Sequence, residues 1–171
     1  MEKTLWISHR GYKENAVENT AAAFRAAVDL GFSCLETDLR LTRDKRIALI
    51  HDPTMARLAG DRRQIRNMTA RELSEIRLNP VQTTENHHAF SDFQKTGRAG
   101  VSANHGQQAG DRVMFIDDFV SEFRNLRWVF DIKPETGAET IRELAVWAET
   151  EGMVETIVQN ARILTWRADH E

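Results

Sequence analysis

Apolar and polar positions change period repeatedly along the chain, and each change predicts an element. Leu5-Trp-Ile-Ser8 is a short apolar run bounded by the polar stretch His9-Arg-Gly-Tyr-Lys-Glu-Asn15, the pattern of a buried strand followed by a loop. Asn19 or Thr20 can cap a helix from Ala21 to Leu30, whose Ala23, Phe24, Ala27 and Val28 share one face, with Gly31 as its terminator. Cys34 to Leu41 reads as the next strand, and after the turn Arg43-Asp-Lys-Arg46 the continuous apolar run Ile47-Ala-Leu-Ile50 reads as another, in a hairpin-like or tightly wound connection. From Pro53 to Asn67 the pattern is irregular and basic, and Thr69-Ala-Arg-Glu72 then forms a capping box that opens a short helix through Ile76. Asp117 can cap a helix from Asp118 to Arg124, which precedes the strand Trp128 to Ile132. Pro134-Glu-Thr-Gly137 leads into an amphipathic helix, Ala138 to Glu149, with Ile141, Leu144, Ala145 and Ala148 on one side and Gly152 past its end. Thr156-Ile-Val158 reads as a last short strand, and Asn160 to Glu171 as the start of a further helix. The stretch 79–112 is polar and aperiodic and is expected to be a long loop or insertion, in which His87, His88 and His105 read as solvated histidines rather than a metal site.

Strands that alternate with helices, with ionisable residues gathered where the strands end, predict parallel βα units in a single α/β domain over 1–171. In such folds sites form beyond the carboxyl ends of the strands. About five strands are counted, short of an eight-stranded barrel of roughly 250 residues.

Composition narrows the partners. Hydrophobic residues make up 41% of the 171 positions, enough for a core. With 26 acidic against 23 basic residues and no block of like charge, neither a nucleic-acid surface nor a polybasic membrane patch is expected, and the partner is expected to be a small molecule. The single cysteine, Cys34, cannot form an internal disulfide and reads as core packing. No signal peptide or membrane-spanning run is expected, so the default location is cytoplasmic.

The candidate chemistry lies at the strand ends. Glu36 and Asp38, two apart on a strand, share one face, and Asp131 and Lys133 repeat that spacing at the end of a later strand. Each feature alone has an ordinary structural explanation, such as pairing of the acids with Arg10 or Lys133 or capping of a turn by His51-Asp52. Six ionisable groups at one end of four predicted strands, His9, Glu36, Asp38, His51, Asp131 and Lys133, instead point to a site. Three carboxylates suit a hard divalent cation, Mg²⁺ or Ca²⁺. Arg10 and Lys133 add fixed positive charge suited to a phosphate ester, and His9 and His51 can divide base and acid duties near neutral pH.

In order along the chain, His9-Arg-Gly11, Glu18-Asn-Thr20, Glu36-x-Asp38, His51-Asp52 and Asp131-Ile-Lys133 resemble the signature of the glycerophosphodiester phosphodiesterases, over most of residues 7–78 and again from about 113 to 137. The resemblance implies a TIM-type (β/α) barrel, with about five of its eight strands present. It implies metal-dependent hydrolysis of glycerophosphodiesters to glycerol 3-phosphate and an alcohol, with the substrate's own glycerol hydroxyl as a frequent nucleophile. By the same resemblance His9 and His51 form the acid/base pair, Glu36, Asp38 and Asp131 bind the metal, Arg10 and Lys133 hold phosphate, and Glu18 and Asn19 line or brace the site. Asp131 stands where many members carry Glu, and Asp there is also similar to the related sphingomyelinase D-like phospholipases. The expectations that accompany this reading are a C-terminally truncated barrel, with self-association as a means of covering its open edge. The alternatives are a lysophospholipase D-like enzyme and an inactive truncated barrel.

Overall fold

The computed structural model describes residues 5–14, 16–79 and 111–165. The centre of the fold is β2, Cys34–Leu41, in which every residue is buried. It pairs in parallel with β1, Ile7–His9, on one side, with His9 opposite Glu36, and with β6, Arg127–Ile132, on the other, with Asp38 opposite Asp131. A further parallel strand, β7, Ala161–Thr165, pairs with β6, giving the order β1-β2-β6-β7. The short β3, Ile47–Leu49, runs antiparallel to the end of β2. The turn between β2 and β3 is closed by Thr42 and Arg46 and carries Lys45 at a φ of 63°. Five strands in one α/β sheet agree with the expected count, although β3 departs from purely parallel winding.

Helices cover the face of the sheet opposite the acids. Helix α1, Ala21–Asp29, is capped by the Thr20 hydroxyl, which accepts from the Ala23 amide, and ends at Gly31 with φ 92°. Its Phe24 meets Phe119 of α4, Ile116–Phe123, edge to face at 4.9 Å, and Phe119 lies 6.1 Å from both Trp128 and Phe130 of β6. These rings, with Leu35, Leu39 and Leu144, form one buried core. A smaller core gathers Ile50, Met55, Ile65, Met68 and Leu73. There the capping box of Thr69 and Glu72 opens α3, Ala70–Glu75, as the sequence predicts.

Several expectations are corrected. Asp117 does not cap α4; Phe115 is the N-cap, with no side-chain bond, and the Asp117 carboxylate instead accepts from Trp147 Nε1 at 2.8 Å and Arg46 Nη2 at 2.6 Å. In α5, Gly137–Thr150, the buried positions are Thr140, Leu144 and Ala148, while Ile141 is exposed, so Thr140 takes the inward place expected of Ile141, with its hydroxyl 3.0 Å from that of Thr136. Thr156-Ile-Val158 is not a strand. It lies in α6, Val154–Asn160, and the strand follows at 161–165, where a helix is expected. β-branched content favours a strand at 156–158, but Ile157 packs onto the main core while its amide bonds Met153, and ladder pairing with β6 decides the next segment. A two-stranded hairpin, β4 Thr54–Met55 and β5 Asp61–Gln64, encloses the one-turn helix α2, Ala56–Ala59, in the stretch that has no readable period. Of the predicted loop at 79–112, all but its end residues lie outside the described residues, as do His87, His88 and His105. Cys34 is buried in the strand as expected, and burial pushes its thiol up.

Candidate active site

Period two on β2 puts Glu36 and Asp38 on the side of the sheet away from the helices, and the parallel register carries Asp131 to the same place. One ligand oxygen from each lies within 4.8 Å of the others, and all three residues are buried. The shorter side chain of Asp131 therefore reaches the cluster. The two basic residues are drawn into it. Lys133 Nζ stands 2.6 Å from Asp38 Oδ1 and donates to Asp131 Oδ2 at 2.7 Å, while Arg10 Nε is 2.9 Å from Asp38 Oδ2. Asn19 completes Asp38, its Nδ2 donating to Oδ2 at 2.9 Å while its own Oδ1 accepts from the Thr37 hydroxyl.

Backbone geometry at two loops makes this possible. Arg10 and Asn19 both adopt positive φ, 62° and 57°, as does Gly11 at 80°. A non-glycine residue such as Arg10 is held there only by its surroundings. Its amide donates both to the Glu36 carbonyl at 3.0 Å and to Glu36 Oε2 at 3.1 Å, and the Asn19 amide donates to the Arg10 carbonyl. Gly11 has no alternative, since a Cβ there would lie 2.6 Å from the Ala23 carbonyl carbon.

The electrostatics fit a cation. Burial and the adjacent Asp38 charge, with a smaller contribution from Asp131, push the Glu36 carboxyl up to about 7 despite the Arg10 amide and charge. The Arg10 amide and charge offset the burial of Glu36 only in part, and three hard oxygen donors suit a divalent cation.

The histidines stand at the rim. His9, at the end of β1, has Nε2 3.8 Å from Glu36 Oε2 and a side chain 60% exposed; burial, then Arg10 and Lys13, hold its pKa below the ordinary value. His51 follows β3, and its Nδ1 is 2.8 Å from Asp52 Oδ1. Its carbonyl accepts from Arg40 Nε at 2.8 Å. Asp52 Oδ2 in turn accepts from Arg57 Nε, and Arg57 forks onto Glu18, which Arg10 also contacts at 3.3 Å. Seven of the nine residues singled out in the sequence, Arg10, Glu18, Asn19, Glu36, Asp38, Asp131 and Lys133, are thus joined in one network. His9 borders Glu36, and His51 joins through Asp52 and Arg57.

A family model described as the glycerophosphoryl diester phosphodiesterase family matches residues 9–170. The chain belongs to this family. A glycerophosphodiester phosphodiesterase of Caldanaerobacter subterraneus is 39% identical over 74 residues, 43% of this chain and 30% of the relative. Lysophospholipase D GDPD1 of Homo sapiens is 43% identical over 54 residues, 32% of this chain and 17% of the relative. Among solved structures, the family domain of a Mycobacterium tuberculosis protein superposes with a TM-score of 0.71 at 14% identity, covering 98% of this chain and 55% of that one. A glycerophosphodiester phosphodiesterase of Agrobacterium tumefaciens gives 0.68 at 22%, covering 96% and 59%. The fold is therefore that of the family's TIM-type barrel with about five of its eight strands present, and the chain spans less than two thirds of these relatives.

Two residues escaped the sequence reading. Arg40 continues the period-two row of Glu36 and Asp38, so the same rule that found the acids would have found it. Arg57 lies in the aperiodic stretch 53–67, where no pattern marks it.

Proposed function

We infer that this family member hydrolyses glycerophosphodiesters to glycerol 3-phosphate and an alcohol, with a divalent cation, Mg²⁺ or Ca²⁺, held by Glu36, Asp38 and Asp131. The observation that carries this reading is the convergence of three buried carboxylates from two strands within 4.8 Å, beside two cationic side chains. Such a cation supplies electrophilic charge to the phosphoryl oxygens. Arg10 and Lys133 hold the phosphate and balance the charge that develops on it. Glu18 and Asn19 brace Arg10 and Asp38. Of the two histidines, one takes the proton from the attacking glycerol hydroxyl of the substrate and the other gives one to the departing alkoxide, so no protein nucleophile is needed. The intermediate in this route is a cyclic phosphate, which water then opens.

A lysophospholipase D-like activity is the second reading, favoured by the 43% identity to lysophospholipase D GDPD1 over 54 residues. Incubation of the 171-residue chain with glycerophosphocholine and Mg²⁺ or Ca²⁺ is expected to release glycerol 3-phosphate, and His51→Ala to lower kcat by about 10²-fold or more. Turnover that survives His51→Ala overturns the assignment of that histidine. Preferential cleavage of a lysophospholipid in competition favours the second reading, and a chain without turnover on either substrate supports an inactive barrel. No helix among the described residues is long and apolar enough to cross a membrane. A cytoplasmic setting accompanies the proposal, since the single buried thiol, Cys34, calls for no oxidising compartment. Beyond the small substrate, the partner proposed is a second copy of the chain.

A further inference from the structure

Arg57 is the residue through which two separate parts of the site meet. It lies on the one-turn helix α2, outside the strand ends, with its side chain half exposed. Its guanidinium makes three hydrogen bonds in two directions. Nε donates to Asp52 Oδ2 at 2.7 Å, while Nη2 and Nη1 donate to Glu18 Oε1 and Oε2 at 2.7 and 3.1 Å. Each partner has a second engagement: Asp52 Oδ1 faces His51 Nδ1 at 2.8 Å, and Glu18 Oε1 faces Arg10 Nη1 at 3.3 Å. A continuous chain of alternating charge therefore runs from His51 through Asp52, Arg57, Glu18 and Arg10 to Asp38.

A planar guanidinium that fills both directions fixes carboxylate orientation in a way that a point charge does not. Asp52 is only partly buried, so without a bond on Oδ2 its carboxylate is free to turn away from the imidazole. Burial pushes both Asp52 and Glu18 up, yet their bonds reverse this and leave both below the ordinary carboxylate range, so that both stand as acceptors at neutral pH. Asp52 then accepts a proton-bearing Nδ1, which places the exchangeable site of His51 on Nε2.

We propose that Arg57 is a positioning residue for His51: its bond to Asp52 Oδ2 holds the carboxylate that fixes the Nδ1–H tautomer, while its fork on Glu18 anchors the pair to the phosphate-binding side of the site. This rests on the phosphodiesterase reading for its kinetic consequence but not for its structural one. Two measurements on the full chain test it separately.

In Arg57→Ala, kcat on glycerophosphocholine with Mg²⁺ or Ca²⁺ falls by about tenfold to a hundredfold while KM moves by less than about threefold, the pattern of a lost orientation rather than lost substrate binding. Arg57→Lys keeps the charge but not the fork and recovers only a minor part of the loss. Independently of turnover, ¹⁵N shifts of the His51 ring report the Nδ1–H tautomer in the wild type and a mixture in Arg57→Ala, with both proteins folded by thermal melting. An unchanged tautomer in Arg57→Ala overturns the proposal, as does a loss confined to KM or full recovery in Arg57→Lys. A wild-type chain without turnover would remove the phosphodiesterase reading and leave the tautomer measurement to decide the role of Arg57.

Discussion

Gly11 shows how much of the site depends on a single position. It sits at φ 80° between Arg10, whose amide reaches Glu36, and Tyr12, whose amide bonds the Ala23 carbonyl at 2.8 Å. An alanine there meets the Ala23 backbone and Cβ at 2.6 to 2.8 Å, with no flexible side-chain end to give way. Gly11→Ala is expected to cost about 2–4 kcal/mol, from combined strain and overlap; a denaturant midpoint equal to that of the wild type would contradict this. At this scale the sequence was informative wherever period and spacing apply. Glu36 and Asp38 could be found because a strand's alternation places them together, and Asp131 because it repeats the spacing. That Lys133 holds Asp38 as well as its near neighbour Asp131, and that Arg57 forks onto Glu18, could not be settled from the sequence, because both contacts join segments far apart in the chain.

Elements were legible where local chemistry alone settles them. The capping box at Thr69 and the Thr20 cap are local bonds and appear as predicted. The α6–β7 region was misread because tertiary pairing decides it: the ladder to β6 forms at 161–165, and the β-branched residues before it are held as a helix. Asp117 is a further case, a residue of cap type used instead to join α4 to α5 through Trp147 and to the β2–β3 turn through Arg46. Burial alone would push its carboxyl up, but the Arg46 and Trp147 bonds outweigh burial and hold its pKa below the ordinary 3.8. A carboxylate depressed in the folded state contributes stability that is present above its unfolded pKa and lost as pH falls through the lower folded value. Asp117→Asn is therefore expected to lose roughly 1 kcal/mol at neutral pH, a modest amount because the pair is partly solvated. The gap between variant and wild type should close as the pH is taken below 3.8, with Trp147 fluorescence following the transition. A gap that stays constant down to acid denaturation would show that the Asp117 charge contributes nothing.

At the scale of the whole molecule, the sheet leaves two edges that pair on one side only among the described residues, β1 and β7. Both carry apolar side chains in the open: Ile7 is 46% exposed, and Ile163 and Leu164 are 43% and 49% exposed. An apolar, unpaired edge recruits another strand unless it is covered. The four strands of the main path, β1, β2, β6 and β7, all run parallel, and a closed barrel of this fold has eight. A two-fold axis along the barrel would set β7 of one copy beside β1 of its partner twice over, satisfying both edges with parallel pairing and covering Ile7 and Leu164 together. The expected outcome in a sedimentation series is a dimer that dissociates on dilution. Leu164→Lys should shift that equilibrium towards monomer, since it sets a charge in the pairing face, whereas the same change at exposed Val158 on α6 should not. A wild-type chain that stays monomeric and well folded throughout the series would show that the edges are tolerated in water, and that the strand geometry alone, without a second copy, keeps Glu36, Asp38 and Asp131 together.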